Sequence, residues 1–194
     1  VQVVKELRPS NSQPYEFPIR CPVCGSLLTR EKGVSDTYCT GGLICAAQAK
    51  ERLRHFVSRN AFDIEGLGEM NIDLFYENKL IRSPVDIFTL EERDQNSEHP
   101  LSTWEGWRGK NKRASKLFKA IDRARTISLD RFIYALGIRR IGETNARLLA
   151  RQYRTLTHWR NVMEKAPDPA SEELKDLQSI SGMGESRAED IVPF

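Results

Sequence analysis

The sequence predicts a mainly α-helical fold, in which a small cysteine-bearing ribbon precedes an all-α domain of short paired helices. Three observations predict it. Four cysteines fall within residues 21–45, as Cys21-x2-Cys24 and Cys39-x5-Cys45. Directly after them, Ala49, Leu53 and Phe56 recur along one face of a helix expected over residues 46–56. From residue 58 onward, a glycine-centred unit recurs four times, each copy followed by apolar residues at helical spacing.

The cysteine spacing suits one metal ion. A two-residue gap lets Cys21 and Cys24 turn back onto a single centre, and Pro22 with Gly25 supplies the tight knuckle this needs. Cys39 and Cys45 enclose Gly41 and Gly42, which bend without a Cβ penalty. Four thiolates fill a tetrahedral zinc shell and leave no place for water, so the expected zinc is structural. Two disulfides or an iron–sulfur centre are the competing readings of the same four residues. Leu27, Leu28, Val34 and Tyr38 are too few to hold the ribbon together without its ion. His55, His99 and His158 have no ligand spacing and are read as packing or surface residues.

The chain of 194 residues is long enough for one substantial core and this small satellite. Apolar residues make up 39% and charged residues 29%, with no apolar run that would span a bilayer and no signal-peptide core in the first twenty residues. We therefore expect a cytoplasmic protein with no membrane partner, where disulfides are disfavoured. Residues 1–20 open on Val1, Val3, Val4 and Leu7 and turn proline-rich at Pro9, Pro14 and Pro18, which reads as a last strand of something upstream followed by an extended linker.

The recurring unit is clearest in Ile64-Glu-Gly66-Leu-Gly68, with Ile72 following, and in Ile180-Ser-Gly182-Met-Gly184, with Ala188 following. Ile138-Arg-Arg-Ile141-Gly142 has Ala146 at the corresponding place, and Gly106-Trp107-Arg108-Gly109 leads into Ala114, Leu117, Phe118 and Ile121. Residues 95–103 read as a loop. Phe56, Phe62, Phe75, Phe118, Phe132, Tyr134 and Tyr153 are assigned to packed faces, as is Trp107. A tight glycine turn ahead of a helix can aim backbone N–H groups at a phosphate without reading any base. Gly66, Gly68, Gly106, Gly109, Gly142, Gly182 and Gly184 are accordingly candidate backbone contacts. Arg108, Lys110, Lys112, Arg113, Arg139, Arg140 and Arg147 are candidate side-chain contacts.

Charge distribution agrees with that reading. The net charge is only +3, but residues 104–125 and 131–165 each carry eight Lys or Arg against two Asp or Glu. The preceding and terminal stretches, 63–94 and 166–194, are acidic. Such segregation gives a nearly neutral molecule a basic face of the kind that attracts nucleic acid. The acidic units at 64–72 and 180–188 are the weaker contact candidates and serve first to build the fold.

Taken as a set, these blocks resemble the carboxy-terminal half of bacterial NAD-dependent DNA ligases along essentially the whole chain. The resemblance rests on Cys21-Pro-Val-Cys24-Gly25, His55-Phe-Val-Ser-Arg59, Asp63-Ile-Glu-Gly-Leu-Gly68, Phe132-Ile-Tyr-Ala-Leu-Gly-Ile138 and Gly142-Glu-Thr144. It implies the end of an oligonucleotide-binding domain and linker over 1–20, a four-cysteine zinc finger over 21–45 and a helix-hairpin-helix DNA-binding domain over 46–194. It also implies a parent enzyme that seals 5′-phosphate, 3′-hydroxyl nicks in duplex DNA through enzyme-AMP and DNA-AMP intermediates. In that parent, NAD and Mg or Mn act outside these residues, and a BRCT domain follows.

The family's Lys-x-Asp-Gly motif is absent from the sequence, so no catalytic residue is assigned and the fragment is expected to be inactive alone. Its expected partners are nicked duplex DNA, held by sequence-independent phosphate contacts, and the other ligase domains in cis; the expected state is a monomer. The zinc finger is expected to orient the hairpins against the oligonucleotide-binding domain. One departure is visible: the family form of the second unit is near Gly-Trp-Gly-Glu-Lys, whereas here Ala114 lies eight positions after Gly106 instead of six. The alternatives are an accessory domain of a repair nuclease or glycosylase, for which no carboxylate cluster or lysine–aspartate constellation can be defended, and a zinc-stabilised interaction scaffold.

Overall fold

A computed structural model describes residues 4–30, 33–107 and 111–194. The chain divides into two compact units, Val1–Gln48 and Ala49–Phe194. The first is held by short-range features. Cys21 N–H donates to Ser26 O at 2.8 Å and Gly25 N–H to Cys21 O at 2.9 Å, closing a knuckle in which Gly25 takes φ +72°. Strands β1 (Leu28–Thr29) and β2 (Tyr38–Cys39) then pair antiparallel, Leu28 opposite Cys39 and Thr29 opposite Tyr38. Leu27 and Tyr38 remain exposed while Cys21 and Cys45 are buried, so the sulfur atoms occupy the place of an apolar core. Upstream, the strand expected at the start is not seen in the described part: Lys5–Leu7 is a short 3-10 turn, and Val4 and Leu7 are exposed. An isolated pair of strand termini with no partner sheet has no reason to stay extended.

The second unit is all α. Helix α1 (Ala46–Val57) buries Ala49, Leu53, Phe56 and Val57, the face read from the sequence plus one residue. A turn leads to α2 (Glu69–Glu77), which buries Ile72, Phe75 and Tyr76. Short helices α3 (Pro84–Phe88) and α4 (Leu90–Gln95) follow, and after residues 96–100 and a 3-10 turn at Leu101–Thr103 comes α5 (Asn111–Ala124). Ala114, Leu117, Ile121 and Ala124 form the buried stripe of α5 at helical spacing. Phe56 stacks on Phe62 at 4.1 Å between ring centres, and Phe75 meets Trp107 at 5.4 Å.

The remaining helices are α6 (Leu129–Ala135), α7 (Glu143–Tyr153), α8 (Leu156–Lys165), α9 (Glu172–Ser179) and α10 (Gly184–Ile191). They share one core of Ile133, Ile138, Ile141, Ala146, Leu149, Tyr153, Trp159, Val162, Leu177, Met183, Ala188 and Ile191. Two of their starts carry side-chain caps: Thr155 accepts from His158 N–H at 3.1 Å and Ser171 from Leu174 N–H at 3.2 Å. Of the aromatic residues assigned to packed faces, Phe56, Phe62, Phe75, Trp107 and Tyr153 are buried, and Phe118, Phe132 and Tyr134 are half-buried. His55 is a packing residue, its Nε2 2.7 Å from Tyr134 O, and His158 Nδ1 lies 3.0 Å from Tyr153 O. No helix among the described residues is long and apolar enough to cross a membrane.

Asp86 ties the turn before α3 to the helix it caps. Its Oδ2 accepts from Arg82 N–H at 2.9 Å and from Ser83 N–H at 2.7 Å, with the Ser83 hydroxyl at 3.0 Å. Burial opposes its charge, but these donors and the Arg93 cation outweigh it and hold the carboxyl below the usual carboxylate range. Asp86→Ala is therefore expected to destabilise the domain by ~1 kcal/mol. Because the folded pKa is depressed, the contribution is complete above about pH 4 and is lost as pH falls through the folded value. Thermal unfolding of wild type and variant from pH 7 to pH 2.5 checks both: the two melting temperatures should converge at the acid end.

Candidate metal centre and nucleic-acid interface

The four cysteine sulfurs all lie within 4.8 Å of one another, with Cys24 and Cys39 Sγ 3.5 Å apart, and none is in a disulfide. In a tetrahedral zinc–thiolate site, bonds of about 2.3 Å put the sulfurs roughly 3.8 Å apart, so the cage has the right size. Its chemistry fits as well. The Ser26 hydroxyl and backbone bring the Cys24 thiol down to about 6. Against the Gly41 N–H, burial and the neighbouring Cys24 and Cys21 push Cys39 up to about 11. One thiolate thus forms readily and opposes the next, a conflict that a dication resolves. Zinc held by Cys21, Cys24, Cys39 and Cys45 supplies folding free energy to a unit with little apolar core.

Gly41 and Gly42 turn out to be glycine for different reasons. Gly42 has φ +49°, a left-handed conformation, as the turn argument expected. Gly41 has an ordinary φ of −68°. A Cβ there would come 2.8 Å from Cys24 Sγ, 2.9 Å from Ser26 Oγ and 3.2 Å from Cys39 Sγ, so the sulfur cage itself excludes a side chain. Gly41→Ala is expected to accelerate zinc release to a competing chelator, while Cys45→Ser abolishes retention of one zinc per chain. Equal release rates for wild type and Gly41→Ala would contradict this packing account.

The four glycine-centred units share one backbone design. Residues 64–67, 104–107, 138–141 and 180–183 each close a four-residue turn. The fourth N–H donates to the first carbonyl: Leu67 to Ile64, Trp107 to Trp104, Ile141 to Ile138 and Met183 to Ile180, at 2.8–3.2 Å. The third residue of each turn has positive φ: Gly66 +96°, Gly106 +76°, Arg140 +61° and Gly182 +85°. This is the signature of a type II turn, in which glycine is favoured at that position. The fourth residue is buried in every copy.

A second rule emerges that the sequence reading missed. The carbonyl of the left-handed residue is captured by a side chain of the following helix: Asn71 Nδ2 on Gly66 O at 2.6 Å, Arg113 Nη1 on Gly106 O at 2.9 Å, Asn145 Nδ2 on Arg140 O at 3.1 Å, and Arg187 Nη1 on Gly182 O. The capturing residue lies five positions after the left-handed one, except in the second unit, where it lies seven. The buried small residue lies six positions on, as Ile72, Ala146 and Ala188, and eight in the second unit, as Ala114. Two inserted residues account for both offsets. The signal was visible only as a recurring polar residue just before the small apolar one.

The candidate contacts can now be placed. Gly66, Gly106 and Gly182 are the left-handed turn residues, and Gly68 and Gly142 immediately precede α2 and α7. Gly184 opens α10 with φ +62°. Lys112, Arg139 and Arg147 are exposed, Arg147 beside Glu143 at 3.4 Å. Arg113 is engaged within the fold: besides Gly106 O it donates to Asn71 Oδ1 at 3.2 Å and lies 4.0 Å over the Trp107 ring. Arg140 pairs through two nitrogens with Asp190 of α10. Arg108, Gly109 and Lys110 lie outside the described residues. The structure brings Gly66, Lys112, Arg113 and Lys116 around one cavity of about 410 Å³, with Glu65, Trp107 and Leu117.

A four-sulfur cage and four locked hairpin turns define a zinc-finger and helix-hairpin-helix protein. Residues 20–47 match the NAD-dependent DNA ligase C4 zinc finger domain, and residues 131–194 match the helix-hairpin-helix motif. The DNA ligase of Rhodospirillum rubrum is 51% identical over 197 residues, and that of Parvibaculum lavamentivorans 54% over 200, each match covering 100% of this chain. The chain belongs to the NAD-dependent DNA ligase family, and it spans 28% of the length of these relatives.

Proposed function

We propose that this chain is the part of a nick-sealing, NAD-dependent DNA ligase that holds duplex DNA by its backbone. The observation that carries the reading is the pair Gly68 and Gly142. Gly68 has φ −65° and Gly142 φ −87°, conformations open to any residue, and a Cβ at either would meet nothing within 4 Å. Neither backbone strain nor internal packing demands glycine there. Each sits at the start of a helix, where the first N–H groups have no intrahelical partner, and lack of a side chain lets a phosphate oxygen approach them. The same argument extends with less force to Gly184, whose positive φ is reason enough for glycine.

Around these turns, Lys112, Arg139 and Arg147 supply long-range attraction, and Arg108, Gly109 and Lys110 belong to the same basic turn in the sequence. Such contacts position DNA and specify no sequence. Nick sealing needs the 5′-phosphate and 3′-hydroxyl held in line, so changes here act on the reaction through alignment. The chemistry with NAD and Mg or Mn belongs to the remaining length of the parent enzyme, and these residues act as a monomer with the other ligase domains in cis. Supporting this division, no lysine of the sequence lies in a Lys-x-Asp-Gly motif.

The test is binding of this chain to nicked and intact duplexes across a salt series, with an NAD adenylation control. Affinity should fall steeply with salt, by roughly 0.9 log unit per log unit of salt for each phosphate neutralised. Incubation with NAD should yield no covalent protein-AMP. Gly68→Thr and Gly142→Thr, which keep a competent helix start but add a side chain, should retain their melting temperatures and lose affinity. Binding that ignores salt, or threonine variants that bind like wild type, would sink the backbone-phosphate reading.

A further inference from the structure

Three of the four turns place glycine at the left-handed position; the third places Arg140, with φ +61°. A side chain in that conformation is unfavourable relative to glycine, so its presence calls for a compensating interaction. The interaction is with Asp190. Arg140 Nη2 donates to Asp190 Oδ1 at 2.8 Å and Nε donates to Oδ2, the parallel two-bond geometry that guanidinium and carboxylate form best. The Asp190 side chain is 13% exposed and that of Arg140 40%, so the protein shields the carboxylate while the guanidinium also meets water.

The connection spans two hairpins. Arg140 belongs to the turn before α7, and Asp190 to α10, the helix that follows the fourth turn. On either side of Asp190, Ala188 and Ile191 pack into the same core as Ile138 and Ile141, which flank Arg140. The backbone of residue 140 is held at the same time, by Asn145 Nδ2 on its carbonyl. Both the side chain and the carbonyl of this exposed residue are therefore engaged by groups of the same domain. A phosphate competing for the guanidinium would have to displace a two-point carboxylate partner.

We infer that Arg140 is a positioning residue, which fixes the third and fourth hairpin turns relative to each other through Asp190, and that it is not itself a phosphate ligand. The inference rests on the duplex-binding reading above and deepens it: the two turns act as one rigid clamp on neighbouring phosphates. It also explains why arginine is kept where glycine would relieve the backbone.

The test is a double-mutant cycle on this chain with Arg140→Gly, Asp190→Asn and the double variant, each titrated with nicked duplex across a salt series. Arg140→Gly keeps the left-handed conformation and removes only the side chain. Each single variant and the double variant should weaken binding by the same roughly tenfold factor, with the slope of log affinity against log salt unchanged. Arg140→Lys, which cannot form the two-bond pair, should not restore affinity. As a contrast, Lys112→Ala should shrink the slope by about 0.9, as loss of one phosphate contact requires.

A slope reduced by about one in Arg140→Gly, with Asp190→Asn binding as tightly as wild type or tighter, overturns the inference and makes Arg140 a phosphate ligand restrained by Asp190. Additive losses overturn it too. If Asp190→Asn proves unfolded by thermal melting, the slope of Arg140→Gly against wild type decides alone. Wild-type binding separates the two levels of argument: salt-independent or absent binding removes the functional reading and this inference together, whereas a binding wild type leaves only the inference at stake.

Discussion

The helical unit depends on reversing the chain tightly four times and tying each turn to the helix that follows it. A left-handed residue makes the reversal possible, and its C=O is held by a side chain of the helix that follows. Each of these carbonyls belongs to an exposed residue that water could also serve, so the side-chain donor acts to tie the turn to the next helix. Asn71, Arg113, Asn145 and Arg187 provide it from one place on the following helix.

The zinc unit solves a different problem. Its apolar residues are few and several face solvent, Leu43 and Ile44 among them. The sulfur cluster takes the place of a core, and the close fit of Gly41 against two sulfurs shows how little free volume the cage leaves. The unit therefore depends on one ion for what the helical unit obtains from dispersed apolar packing. Loss of the ion should be felt locally, while substitutions in the helical core are shared among many neighbours.

Much of this was legible in the sequence. Cysteine spacing located the metal cage, helical periodicity located α1 and the stripe of α5, and the glycine repeats located the turns. The family resemblance joined these into one assignment. What was hidden depended on backbone sign and on partners distant in sequence. Arg140 reads as one more cation in a basic stretch, because nothing local says that it takes the left-handed position or that its partner lies 50 residues away. Arg113 reads the same way, yet its position over Trp107 and on Gly106 O makes it a brace for the longer second turn. The two extra residues of that turn looked like a departure from the repeat; once removed, the positions of Arg113 and Ala114 obey it. The strand read at the start is not seen over Lys5–Leu7, which form a 3-10 turn, and apolar alternation supports a strand only where another strand pairs with it.

Charge counting along the chain leaves out what a neighbouring helix brings to the first hairpin. Residues 63–94 are strongly acidic in sequence, which argues against a phosphate contact at Gly68. In the fold, Lys50 reaches Glu77 at 2.5 Å and Asp73 at 3.6 Å, while Arg54 lies against Asp73 at 2.7 Å, Glu69 at 3.2 Å and Glu51. These cations come from α1, outside the acidic window, so much of the negative charge on α2 is neutralised by its neighbour. In the fourth hairpin, Arg140 does the same for Asp190. At a Debye length of about 8 Å, a phosphate near a turn responds to the local sum of charges and not to the sequence total. The ion pairs that offset the acidic charge of these hairpins are also those that fix helix against helix.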